Sequence, residues 1–275
     1  MNVSVVVPTR DRPAALRRCL DALAAQHDEL EIVVVDDGSR DRAALSEAID
    51  ASGARARVVR GPGRGPATAR NLGWRAAAGD VVCFTDDDCT PAPGWATRLA
   101  EAAAASSLAA GRTLPEPGAA AAVLASQAIT EHLQLSSLDA STGRLRFAPS
   151  SSLAATRDAL ADLPFDESFP SAAGEDRDFA ARAWAAGHGA LYVPEAVVVH
   201  RPELGARGFI RQQYRYGRGA VRFRAAGAGR EPPAMAWYAG LVRRGFADGA
   251  TVGALVLAAQ AAVASGAFVE WLRRG

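Results

Sequence analysis

Three consecutive carboxylates, Asp86-Asp87-Asp88, follow the apolar run Val81-Val82-Cys83-Phe84. Like charges crowded at the end of a strand repel one another unless a cation sits among them. A hard divalent ion such as Mg²⁺ or Mn²⁺ meets that need, because it takes oxygen ligands and often shares them with substrate phosphates. An acidic, solvated turn is the other reading of the triplet taken alone. Other groups able to do chemistry recur at comparable places. Asp36-Asp37 closes the run Leu30 to Val35, Glu175-Asp176 opens a helix behind Gly174, and His200 ends Val197-Val198-Val199. A carboxylate pair in a first helical turn serves either as a partner of the helix dipole or as a proton acceptor. A strand-end imidazole is either a structural group or a metal ligand.

The elements that must hold these groups read as an alternation. Val3 to Val7, closed by Pro8, has the continuous apolar pattern of a strand buried on both faces. Pro13 at a first helical turn, followed by Leu16, Cys19, Leu20 and Leu23, predicts an amphipathic helix. Strand 30–35, helix 41–52, strand 56–60, the turn Gly61-Pro62-Gly63-Arg64-Gly65-Pro66, helix 67–78 and the run 81–84 follow, and Pro91 is expected to forbid that last strand from continuing. Strands alternating with helices predict right-handed βαβ units and an open parallel sheet, whose ligands bind outside the carboxyl ends of the strands. Pro8-Thr9, Asp36-Asp37 and Asp86 to Asp88 all fall at such ends. From about 113 to 148 the pattern loosens into Ala-rich helix and polar loop.

Composition removes several classes. The 275 residues carry a net charge of +1, so nothing global points to nucleic acid. The chain has no Lys, which excludes a Walker-A lysine, a pyridoxal Schiff base and an amine nucleophile. The first strand is followed by Thr9-Arg10-Asp11-Arg12-Pro13 rather than by GxGxxG, against a redox dinucleotide site. Cys19, Cys83 and Cys89 are odd in number and lack CxxC spacing, which fits a reducing, cytoplasmic setting without structural disulfides or zinc. No charged stretch followed by an apolar one precedes Val3, so no secretory leader is expected.

The pieces in order are Val5-Val6-Val7-Pro8-Thr9-Arg10-Asp11-Arg12, Val34-Val35-Asp36-Asp37-Gly38-Ser39, Ala69-Arg70-Asn71-Leu72-Gly73, Gly79-Asp80, Phe84-Thr85-Asp86-Asp87-Asp88, Phe165-Asp166-Glu167, Glu175-Asp176 and Val199-His200. In this series the chain resembles the family 2 glycosyltransferases, inverting enzymes that use nucleotide sugars. The resemblance covers about residues 3–200 and implies a GT-A fold: a Rossmann-like, mostly parallel sheet flanked by helices, with a helical C-terminal extension. It implies a catalytic domain over 1–204, with a nucleotide-binding half over about 1–112 and an acceptor half over about 113–204, followed by a helical region over 205–275. It implies contacts to the nucleotide sugar from Pro8, Thr9, Arg10, Asp37, Arg70, Asp86 and Asp87. Asp88 and His200 would hold a divalent metal (Mg²⁺ or Mn²⁺) on the diphosphate, Asp176 would be the general base, and Glu175 and Ser152 would lie on the acceptor side. Relatives often carry Asn near Ser152 and Gly where this chain has Pro164, and both departures fall on that side. The acceptor class stays open among saccharides, lipid-linked and small molecules. A sugar-1-phosphate nucleotidyltransferase would place a GxGxR-type loop after the first strand and use a Lys, and both are missing. A degenerate, non-catalytic binding module is the remaining alternative, against which stands the retention of Asp86, Asp88, Asp176 and His200.

The last quarter is different in kind. Residues 201–275 hold twelve Arg against Glu203, Glu231, Asp248 and Glu270, a balance of +8, so the preceding residues carry −7 of the total. Arg207, Arg211, Arg215, Arg218 and Arg222 recur at spacings of 4, 4, 3 and 4, which gathers them on one face of a helix, although Gly217 and Gly219 weaken that helix. Thr251 to Val269 is uncharged between Arg243-Arg244 and Arg273-Arg274. It reads either as a short membrane span or as a helix packed on the rest of the protein. Peripheral contact with the inner face of the cell membrane is the expectation that joins the two features.

Overall fold

The computed structural model describes residues 1–26, 29–169, 173–225 and 234–273. The chain alternates through β1 (Val3–Thr9), α1 (Pro13–Ala24), β2 (Leu30–Asp36), α2 (Arg42–Asp50), β3 (Ala56–Arg60), α3 (Pro66–Ala76) and β4 (Val81–Phe84). There follow β5 (Cys89–Pro91), α4 (Trp95–Ser106), β6 (Leu108–Pro115), α5 (Ala121–Leu135), β7 (Leu138–Asp139), β8 (Arg144–Leu145), β9 (Leu153–Thr156), α6 (Arg157–Asp162), α7 (Glu175–Ala185) and β10 (Ala190–His200). The last three elements are α8 (Ala206–Phe223), α9 (Met235–Ala247) and α10 (Ala250–Leu272). Local rules set the starts. Pro13 and Pro66 occupy first helical turns, where a missing N–H costs nothing. The Asp41 carboxylate accepts from the amide of Ala44 at 2.9 Å and caps α2.

Two compact units result. The first comprises Met1–Leu114 with Ser137–His200, and the second Pro115–Ser136 with Arg201–Gly275. Helix α5, in the stretch expected to form part of an acceptor half, therefore groups with the C-terminal helices rather than with the sheet.

In the first unit ten strands form one sheet in the order β3-β2-β1-β4-β9-β6-β10-β8-β7, with β5 pairing β10. Pairing is parallel from β3 to β4, as the βαβ alternation requires. Beyond β4 the sheet turns antiparallel, with β9 running against both β4 and β6. The expectation that Pro91 ends the strand needs correcting. The chain turns at the carboxylates and resumes as β5, in which Pro91 is the last of three residues and faces Val198 of β10. A short strand tolerates Pro at its end, where no further ladder bond is lost.

Both faces of the sheet are covered, which accounts for the unbroken apolar runs. Val5, Val7 and Cys83 pack on one face with Leu16, Leu20, Trp95 and Leu99, while Val6, Phe84 and Val33 pack on the other with Trp74, Phe165 and Phe179. Each such side chain contributes about 1.5–3 kcal/mol when fully buried. The carboxyl ends of β1, β2 and β4 therefore stand on a rigid base.

The second unit has its own core of Ala122, Ala125, Phe209, Leu241, Val252, Val256 and Ala259. Helix α8 runs without interruption through Gly217, where a Cβ would sit 2.0 Å from the carbonyl oxygen of Val263. The glycine that weakens the helix locally is what lets α8 and α10 touch backbone to backbone. Glu270 of α10 is buried and accepts from Arg218 Nε and Arg222 Nε, each at 2.8 Å. The hydrogen bond from Arg222 and that from Arg218 outweigh burial and hold the carboxyl down at about 2. Two members of the arginine stripe are thus committed inside the unit, while Arg207, Arg211 and Arg215 are exposed.

Helix α10 is both of the things its sequence allowed. It has the length and composition to cross a membrane, with a mean hydropathy of 1.9, yet a third of its most apolar stretch is buried within the chain. Its inner side carries Val252, Val256, Ala259, Gly266 and Glu270, and its outer side exposes Ala254, Leu257, Ala258, Ala261, Ala264, Phe268, Trp271 and Leu272. Phe268 and Trp271 stack on each other with ring centroids 6.2 Å apart and are 59% and 63% exposed, an apolar pair turned outward. Arg273 is exposed directly beyond, and Arg274 lies outside the described residues.

Candidate active site

The carboxyl ends of β1, β2, β4 and β10 bring together most of the residues singled out in the sequence. β4 ends at Phe84 and the chain turns through Asp86, Asp87 and Asp88 before β5 pairs with the end of β10, setting His200 opposite Cys89. His200 Nε2 lies 3.3 Å from Asp88 Oδ1. Burial disfavours the imidazolium, but the hydrogen bond and charge of Asp88 outweigh it and raise His200 above its ordinary value. Asp87 is buried, accepts from Thr9 Oγ1 at 2.8 Å, and is pushed up to about 6 by burial.

The fit of this cluster to a divalent ion can be judged from its donors. One ligand atom each from Asp88, Cys89 and His200 falls within 4.8 Å of the others. The Cys89 thiol is buried and held well above its usual range, by burial first and then by the charges of Asp86 and Asp88. A protonated, soft donor does not suit a hard cation. Asp88 and His200 do suit one, and a cation already stands at the carboxylates: Arg12 Nη1 donates to Asp87 Oδ1 at 3.2 Å and to Asp88 Oδ2 at 3.0 Å. Arg12 belongs to the first motif, in which no separate role attaches to it. The available signal was its place three residues past the end of β1, among arginines and facing an acidic triplet.

A second charged centre lies behind the triplet. Arg70 of α3 is buried, donates through Nη2 to Asp86 Oδ1 at 2.9 Å and through Nη1 to Glu175 Oε1 at 3.1 Å. Among the described residues its buried Nε has no hydrogen-bond partner, and its guanidinium carbon lies 5.7 Å from the centre of the Phe165 ring. Glu175 opens α7, is itself buried, and also accepts from the amide of Ala173 at 2.9 Å. Burial raises the Glu175 carboxyl, and the charge of Asp176 raises it further. Asp176 accepts from the amide of Arg177 at 2.8 Å and is also raised by burial, against the lowering charge of Arg70. Its side chain is less enclosed than that of Glu175.

Supporting contacts explain why the motifs between these groups have their residue types. The Asn71 side chain donates to the Phe165 carbonyl at 2.8 Å and accepts from the Phe165 amide at 3.1 Å, so that one amide side chain mimics a strand partner. It also donates to Glu167, which accepts from Thr68 as well. The Ala-Arg-Asn and Phe-Asp-Glu motifs are thereby one unit that holds Arg70.

The remaining expected residues divide. Asp37 accepts from the amides of Gly63, Arg64 and Gly65 at 2.9, 3.1 and 2.8 Å, so its carboxylate organises the Gly-rich turn. Arg10 donates to the Gly63 carbonyl of the same turn, and Pro8, one residue before the end of β1, lies opposite Val35 and beyond Val6, the last β1 residue paired with β4. Ser152 sits in the core, fully enclosed, and accepts from the Trp95 indole at 2.9 Å. That is a supporting position rather than a contacting one.

Known proteins resemble this chain in family and in fold. Residues 4–129 match the profile of glycosyl transferase family 2, and residues 105–269 match that of glycosyl transferase family group 2. A pre-mycofactocin glycosyltransferase of Mycobacterium tuberculosis is 32% identical over 229 residues, covering 80% of this chain and 47% of the relative. The chain thus spans about half the length of that curated relative. The glycosyltransferase AglE of Haloferax volcanii is 30% identical over 104 residues, 35% of this chain and 33% of its own. Among solved structures, glucosyl-3-phosphoglycerate synthase of M. tuberculosis, in complex with Mn²⁺, UDP and glucosyl-3-phosphoglycerate, superposes with a TM-score of 0.58 at 22% identity, covering 84% of this chain and 81% of that one. Residues 1–349 of S. aureus TarS, in complex with UDP-GlcNAc, give 0.58 at 17% identity, covering 100% and 92%. At such identities these structures speak for the GT-A fold.

Proposed function

The chain belongs to the family 2 glycosyltransferases, and from that premise we propose that it transfers a sugar from a UDP-sugar to an acceptor hydroxyl with inversion at the anomeric carbon. The observation that carries this reading is the buried Arg70, which ties the donor-side Asp86 to Glu175, next in sequence to Asp176. Thr9, Arg10, Asp37 and the Gly-rich turn would receive the nucleotide, and Asp86 and Asp87 the sugar and ribose. Asp88 and His200 would hold a Mg²⁺ or Mn²⁺ ion. Bound there, the ion supplies Lewis-acid stabilisation of the charge that builds on the departing diphosphate. Asp176 orients the acceptor hydroxyl and takes its proton as the oxygen bonds to the anomeric carbon. The C–O bond to the diphosphate breaks with its electron pair leaving on the phosphate. Glu175 and Arg70 fix the position of α7 and hold charge balance behind Asp176. The second reading, a binding module without turnover, leaves unexplained why Asp86, Asp88, Asp176 and His200 are all retained.

A single displacement gives a product of the opposite anomeric configuration from the donor. Incubation with Mn²⁺ and a panel of UDP-sugars, with the anomeric coupling of the product read by NMR, tests this. Retained configuration would sink the mechanism.

For partner and place, we propose peripheral contact with anionic lipid at the cytoplasmic face of a membrane, serving a saccharide, lipid-linked or small-molecule acceptor. The support is the outer face of α10, with Leu257, Phe268, Trp271 and Leu272 exposed, together with exposed Arg207, Arg211, Arg215 and Arg273 in the same unit. An interfacial helix fits better than a span, because the inner face of α10 is committed to Tyr214, Arg218 and Arg222. Each basic residue near an anionic surface adds about 1 kcal/mol. Co-sedimentation with phosphatidylglycerol vesicles is expected to be strong for the parent chain and largely lost in Phe268→Asp/Trp271→Asp. Equal partitioning of the two removes the membrane claim.

A further inference from the structure

Arg12 has an unusual position for a residue outside the expected site. It is the N-cap residue of α1, yet its side chain makes no capping hydrogen bond. Instead a single nitrogen, Nη1, reaches both Asp87 and Asp88. The guanidinium has five N–H donors, and among the described residues Nε and Nη2 make no hydrogen bond. The side chain remains 57% exposed, while the carboxylates it joins are 6% and 11% exposed. The unused edge of the fork thus faces solvent at the mouth of the acidic cluster, where a diphosphate would approach.

Arg12 pairs with Asp88 Oδ2, while His200 lies against Oδ1. A divalent ion held by Oδ1 and His200 would share the carboxylate's charge and so weaken its pairing with Arg12. A guanidinium released there meets the strongest ligand chemistry available to it, the paired oxygens of a diphosphate. We infer that Arg12 is a positioning and specificity residue that couples metal binding to diphosphate binding, neutralising Asp87 and Asp88 in the empty chain and passing to the diphosphate when the ion takes Asp88. This rests on the proposed metal–diphosphate site. It adds a prediction that site alone does not make: the ion by itself binds weakly because it has a competitor, and the diphosphate converts the competitor into a ligand. Arg12 also disfavours a ligand that brings the ion without a second anionic group for the fork.

The test uses the full chain, Mn²⁺ alone, and inorganic pyrophosphate as the diphosphate probe, which removes any dependence on the nucleotide base. Free Mn²⁺ is counted by electron paramagnetic resonance with and without pyrophosphate, and pyrophosphate binding at saturating Mn²⁺ is measured by calorimetry. In Arg12→Gln, Mn²⁺ alone is expected to bind as tightly as in the parent or a few-fold tighter. Pyrophosphate is expected to bind at least about tenfold more weakly, as for loss of a hydrogen bond to a charged group. The enhancement of Mn²⁺ affinity by pyrophosphate then shrinks. Unchanged pyrophosphate affinity overturns the inference. So does weaker binding of Mn²⁺ alone, which would make Arg12 a prop for the carboxylates. A parent chain that binds neither probe overturns the metal site itself and the inference with it. If circular dichroism shows that Arg12→Gln loses its fold, Arg12→Lys is measured instead, with the same directions expected at smaller size.

Discussion

Replacing Asp176 by Asn is expected to leave UDP-sugar binding close to the parental level and to reduce transfer by about 100-fold or more, the usual scale for losing a positioned general base. Asn keeps the shape of the side chain and its acceptance of the Arg177 amide, and removes only the basicity. Burial raises the Asp176 carboxyl, with the charge of Arg70 opposing it, so the base form is lost at a higher pH than for a free aspartate. A base must be deprotonated to act, so kcat/KM of the parent should rise with pH through the raised pKa, and the residual activity of Asp176→Asn should lack that acid limb. Turnover of Asp176→Asn at the parental rate, or an unchanged acid limb, would remove the residue from its proposed role.

Asp88→Ala is expected to abolish the metal-dependent part of nucleotide binding. Among the described residues Asp88 is the one carboxylate that reaches both His200 and Arg12, so its loss takes away the oxygen that pairs with the imidazole. A ligand present at a hundred times its dissociation constant stabilises the folded protein by about 2.7 kcal/mol. In a thermal melt with UDP, the parent should therefore show a clear further rise on adding Mn²⁺, and the variant none. Asp88→Asn separates shape from charge: its amide oxygen can still reach the ion but brings no negative charge, so the Mn²⁺-dependent rise should be smaller than in the parent. A Mn²⁺-dependent rise of parental size in either variant would move the metal away from Asp88.

Much of the site was legible because its residues lie at the ends of strands that announce themselves locally. The runs at Val3, Leu30 and Val81 are unbroken because both sheet faces are covered, and the carboxylates stand where those runs stop. What the sequence did not disclose are pairings between distant residues. Nothing in Leu153 to Thr156 says that it runs antiparallel beside β4, since apolar periodicity carries no direction. Pro91 read as a stop because the rule for proline concerns the ladder, and a three-residue strand has almost no ladder to lose. Ala-rich α5 carries too little side-chain specificity to show which core it joins. Ser152 was placed by its neighbourhood in the motif series, whereas its burial depends on Trp95, far away in the chain. Arg12 looked like one arginine among several, and its geometry depends on a turn more than seventy residues later.

The Arg70 centre bears on how substitutions in this site must be interpreted. One buried guanidinium serves Asp86 on the proposed donor side and Glu175 beside the proposed base, so the free energies of changing any of the three are not independent. Removing one carboxylate leaves the cation underpaired and burdens the other with its charge, and removing the arginine strands two acids at once. Paired substitutions can therefore be milder than their singles, and a lineage that loses one member can keep a folded domain by losing its counterpart as well. A change of donor preference and a change of catalytic rate would then travel together through sequence history, coupled by one buried arginine.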